Sequence, residues 1–161
     1  MRNILRRRSP HPPSTAAPPR LTRRLLPGGA NSIPLVLGEA RLVAFIGSED
    51  LAASERFYRG VLGLKLIDSS SFACVYDMRG TMLRVTQVEV AARAPYTVLG
   101  WTVEDIDGAV ERLSARGVSF KRYGDLHQDR AAIWRAPGGT RVAWFDDPDA
   151  NTLSLTQLPT L

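Results

Sequence analysis

Asp50-Leu51-Ala52-Ala53-Ser54-Glu55-Arg56-Phe57-Tyr58-Arg59-Gly60-Val61-Leu62-Gly63-Leu64 and Asp105-Ile106-Asp107-Gly108-Ala109-Val110-Glu111-Arg112-Leu113-Ser114-Ala115-Arg116-Gly117-Val118 decide the fold. Each stretch opens on an Asp suited to cap a helix N-terminus. Leu51, Ser54, Tyr58, Val61 and Leu62 recur at helical spacing in the first, and Ile106, Ala109, Val110 and Leu113 in the second. Each helix closes on a Gly, the residue that most readily takes the left-handed backbone at a helix end. The two Asp lie 55 residues apart and the two Gly 54. A capped helix, a terminating Gly and a following apolar segment repeated at one offset is an internal duplication.

Outward from these helices, 41–47 reads as a strand before the first, and 64–68, 72–77 and 82–88 as three strands after it, with a turn at Arg79-Gly80. A strand at 96–103 precedes the second helix. Strands at 118–122, 130–136, 140–146 and 152–157 follow, with turns at Pro137-Gly138-Gly139 and Asp147-Pro148-Asp149-Ala150-Asn151. The expected fold class is α+β: two tandem βαβββ modules, 40–90 and 95–158, forming a curved mixed sheet with a concave cavity and the helices on its outer face. Alternation puts Leu42, Ala44, Ile46, Leu83, Val85, Leu99, Trp101, Val103, Leu153 and Leu155 on the faces beneath the helices. The opposite faces hold Val43, Phe45, Gly47, Met82, Arg84, Thr86, Val98, Gly100, Thr102, Thr152, Ser154 and Thr156. That mixture of small, polar and apolar side chains suits a ligand cavity; the plainer reading is a half-exposed sheet face or a dimer contact.

The chain has 161 residues, a formal charge of +5 and one Cys. Residues 1–38 carry seven Arg and no acid, along with seven of the 11 prolines. The remainder has 14 basic and 16 acidic side chains, so the folded part is mildly acidic. The segment 1–38 reads as a disordered Arg/Pro-rich extension, a targeting segment or the product of a start codon placed too far upstream. The domain is 39–161. A single Cys excludes an internal disulfide and a Cys-based zinc site. No run of 18 apolar residues occurs, so no membrane insertion is expected, and no specific nucleic-acid partner either, because the basic charge sits on the extension.

Glu49 to Tyr58 with Val61-Leu62-Gly63-Leu64 resembles the opening signature of the vicinal oxygen chelate superfamily, which comprises glyoxalases, bleomycin-resistance proteins and extradiol dioxygenases. Val103-Glu104-Asp105-Ile106-Asp107 with Arg116-Gly117-Val118 is similar to its second-module opening. Ala143 to Leu155, containing Asp146-Asp147-Pro148-Asp149-Ala150-Asn151, is similar to its closing signature, with Ala150 in place of the usual Gly. The resemblance covers about 40–158 and is nearest to small bacterial glyoxalase/bleomycin-resistance-like members. It implies a homodimer that pairs modules across two chains; separately, a cytoplasmic location is expected. The metal-ligand positions of the superfamily fall here on Val43, Arg84, Val98 and Ser154. Val has no donor atom, a guanidinium repels a cation, and a lone hydroxyl is a weak ligand, so no metal and no cofactor is expected.

The residues expected to bind ligand are Phe45, Arg84, Thr86, Val98, Thr102, Trp134 and Ser154, with none assigned a catalytic role. Arg84 interrupts an apolar strand and suits a two-pronged contact with a carboxylate or phosphate, or else a structural ion pair. His127 has acid–base chemistry but sits in a loop without an evident partner. Cys74 reads as a buried small hydrophobe and Asp146, Asp147 and Asp149 as turn residues. The expected function is metal-free binding of an apolar or aromatic small molecule, neutral or anionic, in the concave cavity. The alternatives are a lyase, isomerase or oxygenase with a displaced site, and a structural or regulatory homodimer without ligand.

Overall fold

The computed structural model describes residues 37–160. The expected extension therefore lies outside the described residues except for its last two positions.

Strand β1 (Val43–Ser48) runs into a tight cap. Ser48 Oγ accepts from Asp50 N, and Asp50 Oδ1 accepts from Ala53 N at 3.0 Å, satisfying an otherwise orphaned donor of α1 (Leu51–Glu55). From Arg56 to Val61 the helix widens to π geometry. Leu62 N donates to Phe57 O, and Leu64 N to Tyr58 O as the chain turns at Gly63 (φ 74°). Strands β2 (Lys65–Ser69), β3 (Ala73–Met78) and β4 (Thr81–Gln87) follow. The β3–β4 turn is Arg79-Gly80, both at positive φ as a two-residue hairpin requires, with Asp77 Oδ1 accepting from Gly80 N. The sheet order is β1-β4-β3-β2, with β1 parallel to β4 and the other pairs antiparallel.

The second module repeats this with β5 (Leu99–Thr102), α2 (Ile106–Ser114), β6 (Trp134–Arg135), β7 (Arg141–Asp146) and β8 (Thr152–Gln157), in the order β5-β8-β7-β6 with β5 parallel to β8. Asp105 caps α2 through Gly108 N at nearly the dihedrals of Asp50. Gly117 N donates to Ser114 O and Val118 N to Leu113 O, the paired closure of a left-handed helix end. The α+β fold of two βαβββ modules holds, with the eight strands divided into two four-stranded mixed sheets.

Three local expectations need correction. Residues 118–122 form no strand: only Phe120 bridges to Phe145 on β7. The strand expected over 130–136 shrinks to Trp134–Arg135. One edge position beside β7 is thus filled by two short pieces, and the loop between them is tied by side chains rather than by a ladder. Gln128 Nε2 donates to Lys121 O and Ala132 O, and Asp129 Oδ1 accepts from Ala131 N and Ile133 N. Leu42 is exposed, because β1 begins at Val43, whose partner Met82 stands next to the first residue of β4.

One hydrophobic cluster serves both modules: Ile46, Tyr58, Cys74, Tyr76, Leu83 and Val85 with Ile106, Val110, Ala143, Phe145, Leu153 and Leu155. The first helix touches both sheets. The Tyr58 ring lies 5.7 Å from Tyr76 of the first, and Phe57 lies 6.5 Å from Phe145 of the second. Both mixed faces therefore turn away from the shared core.

Candidate functional site

On the first sheet, register places Phe45 beside Arg84 and Gly47 beside Thr86. Their neighbours on β3 are Val75 and Ala73. Phe45 is 67% exposed and Met82 41%, so this face is open and apolar around Arg84. Arg84 is half-buried and forms no ion pair among the described residues. Thr86 Oγ1 on the same face is buried without a hydrogen-bond partner.

On the second sheet, Ser154 lies between Gly100 and Trp144 in register, and Thr102, Thr156, Val142 and Trp134 form the next row. A Cβ on Gly100 would stand 2.5 Å from Ser154 Oγ, so only glycine admits the buried hydroxyl there. Val98 just precedes β5, its N donating to Thr152 O. Three aromatics meet over this face. Trp134 and Trp144 are 6.1 Å apart, and Tyr123 stands edge-on to Trp144 at 5.4 Å and 87°. Trp144 Nε1 donates to Thr97 Oγ1. The seven residues expected from sequence thus fall into two groups, Phe45, Arg84 and Thr86 on one sheet and Val98, Thr102, Trp134 and Ser154 on the other. The sheets share no strand pair among the described residues.

The four positions corresponding to the superfamily's metal ligands divide in the same way: Val43 and Arg84 on the first sheet, Val98 and Ser154 on the second. Two aliphatic side chains, a guanidinium and one buried hydroxyl do not fit a divalent cation. Among the described residues no group of three His, Cys, Asp or Glu is arranged to hold one elsewhere.

Asp147 does more than shape a turn. It is buried, and its Oδ2 accepts from Tyr58 Oη at 2.7 Å and Asn151 Nδ2 at 2.8 Å. Its Oδ1 accepts from the backbone N of Asp149 and Asn151. Asn151 Nδ2 also donates to Gly47 O, and Asp149 Oδ1 accepts from Glu49 N. The closing and opening motifs are thus hydrogen-bonded to each other. Burial, reinforced by the Asp147 carboxylate, pushes the Tyr58 hydroxyl well above the usual phenol range. The sequence carried a partial signal of this, two motifs at the ends of the duplication, but not their contact. Ala150 in that turn sits at φ 62°, the reason glycine is usual there.

The remaining candidates behave plainly. His127 is exposed in the loop, and Cys74 is buried with its Sγ 3.6 Å from Ser69 Oγ. Tyr76, whose hydroxyl is buried without a partner, is held protonated to unusually high pH by burial. No helix among the described residues is long and apolar enough to cross a membrane.

Comparison with solved structures finds the fold in a lactoylglutathione lyase from Agrobacterium tumefaciens. It is 18% identical over 74% of this chain and 93% of the other, with a TM-score of 0.58. A glyoxalase/bleomycin resistance protein/dioxygenase from Alicyclobacillus acidocaldarius is 20% identical over 76% and 93%, TM-score 0.59. A superfamily member from Sphaerobacter thermophilus is 23% identical over 73% and 95%, TM-score 0.57. At these identities the likeness shows the fold alone. No curated protein matches the sequence. Residues 41–155 match the family model of the glyoxalase/bleomycin resistance protein/dioxygenase superfamily, which spans both caps, both sheets and the Asp147 turn, and the chain belongs to that superfamily.

Proposed function

We propose that the chain is a metal-free small-molecule binding protein that holds an apolar or aromatic carboxylate on its mixed sheet faces, with Arg84 as the partner of the anion. The observation that carries this reading is the state of Arg84: a half-buried guanidinium on an open apolar face, with no carboxylate paired to it among the described residues. Desolvated guanidinium without a partner is unfavourable, and a planar carboxylate satisfies two of its donors at once. The spare Thr86 hydroxyl and the Phe45 ring lie on the same face.

The second half of the site is the Tyr123, Trp134 and Trp144 group with Ser154, Thr102 and Val98. Both mixed faces turn away from the core, so a second copy laid with its second sheet over the first sheet of its neighbour joins the two halves. We take the binding form to be such a homodimer. Burying an aromatic ring of about 150 Å² contributes roughly 4 kcal/mol, no more than the lower estimates of association cost. The contact to Arg84 then decides whether binding is useful.

Calorimetric titration with naphthalene-2-carboxylate and naphthalene-2-carboxamide tests this. The carboxylate is expected to bind about tenfold more tightly, and Arg84→Gln to remove that difference while lowering the Tm by no more than about 2 °C. Unchanged carboxylate affinity in Arg84→Gln defeats the reading. Sedimentation should give a dimer; a monomer at every concentration removes the paired site. Stoichiometric metal in untagged protein, lost on substituting a mixed-face residue, overturns the metal-free assignment.

A further inference from the structure

We propose a second ligand site in this chain, on the core side of the second sheet: an apolar crevice that takes a small amphipathic monocarboxylate with its chain or ring inside and its head at Arg79. The crevice has a volume of about 290 Å³ and is lined by seven apolar side chains together with Thr102 and Arg79. Phe145 and Leu155 are buried and form the floor. Leu62, Leu64, Trp101, Val103 and Leu113 pack on the core yet stay only partly buried, so water meets five large apolar side chains in one depression. The volume sits at the lower end of the range of small-molecule pockets, enough for a body of eight to ten carbons or a fused ring pair.

Charge selects the occupant. No Asp or Glu lines the crevice, and Arg79 forms no ion pair among the described residues. Arg79 is held at the tip of the β3–β4 hairpin, where its φ of 55° and the Asp77 contact to Gly80 fix the turn. A second guanidinium stands close by. Arg116 Nη1 donates to Val61 O at 2.9 Å and lies 3.9 Å from the point where a Cβ on Gly63 would be, between the two crevice leucines in sequence. A cationic margin over an apolar floor favours an anion with an apolar body and disfavours the same body bearing a cation. Of the crevice residues only Thr102 also belongs to the site proposed above, and Arg84 does not reach it, so this inference does not depend on that reading.

Octanoate and octylammonium, which share a tail and differ in head charge, test the proposal on the full chain. Amide chemical shifts should respond to octanoate at Leu62, Leu64, Val103 and Leu113, and octylammonium should bind at least about tenfold more weakly. Arg79→Glu, at an exposed hairpin tip, should remove the preference with an unchanged Tm. Leu62→Trp should block octanoate by filling the crevice. Arg84→Gln should leave the octanoate-induced shifts at Leu62, Leu64, Val103 and Leu113 intact even if it abolishes naphthalene-2-carboxylate binding and any octanoate response on the mixed faces, which separates the two proposals. Equal binding of both probes, octanoate shifts confined to the mixed faces, persistence of the preference in Arg79→Glu, or a change of molecular mass in Leu62→Trp that marks the crevice as a contact between copies would each overturn the site.

Discussion

The two modules solve one problem with helices of different pitch. Asp50 and Asp105 cap in the same way, but Gly63 follows its cap by 13 residues and Gly117 by 12. The extra residue is taken up by the π-helical stretch Arg56–Val61. Its closing bond, Leu64 N to Tyr58 O, spans one residue more than the equivalent Val118 N to Leu113 O. That widening accompanies the placement of Phe57 and Tyr58 against different sheets. The shared features, cap, left-handed closure and the parallel pairing of first and last strands, specify the module. The unshared ones join the modules and furnish the faces, a guanidinium on one and three aromatics on the other.

The largest expected effect comes from cutting the hydrogen bonds between the motifs. Asp147→Ala removes the acceptor for Tyr58 Oη and Asn151 Nδ2 and for two backbone donors, and should cost about 3 kcal/mol in urea unfolding. A loss below about 1 kcal/mol would mean that water replaces the carboxylate and that the modules are joined by apolar packing alone.

Next in size are the helix closures. Gly63→Ala and Gly117→Ala each force a Cβ into the left-handed region. No atom stands within 3.9 Å of either new Cβ, so strain alone acts, and each should cost about 1 kcal/mol after the smaller unfolded-state entropy of Ala is credited. If the modules are equivalent at this point the two losses match. A clearly smaller loss at Gly63 would show that the wider first helix tolerates an altered exit. Ala150→Gly runs the same physics in reverse: relieving φ 62° should stabilise the fold by about 0.5 kcal/mol, and a destabilised variant would show that the turn is not strained.

The modules also differ in how far their structure could be read from residues. Caps and closing glycines are local chemistry, so both helices, the duplication and the division of each sheet into a core face and a mixed face were legible. The edge beside β7 was not. Residues 118–122 and 130–136 both carry strand-like residues, and only the tertiary contacts of Gln128 and Asp129 decide that each contributes a short piece. Asp147 was legible as a turn residue and not as a buried acceptor, because Tyr58 lies 89 residues away. The same limit governs the candidate site. Alternation identified the side chains of each mixed face, but whether the faces meet within one chain depends on the first helix lying between the sheets, which no periodicity reveals.

The smallest expected effect concerns a contact that only the second module has. Arg141 of β7 holds Asp107 of α2 through two hydrogen bonds, Nη1 to Oδ2 at 2.5 Å and Nη2 to Oδ1 at 2.7 Å; the position equivalent to Asp107 in the first module is Ala52. The Arg141 guanidinium keeps the Asp107 carboxyl below the usual carboxylate range. The folded-state value is thus lower than the unfolded one, so the contribution is present at neutral pH and is lost as pH falls below about 4 toward that lower value. Asp107 is 63% exposed on its side chain, and screening by water limits the pair to under about 1 kcal/mol. Asp107→Asn should therefore be slightly less stable than the native chain from pH 8 to pH 5, with the gap narrowing as the pH falls below about 4. A gap that does not narrow at all below about pH 4 would assign the effect to something other than the charge of the pair.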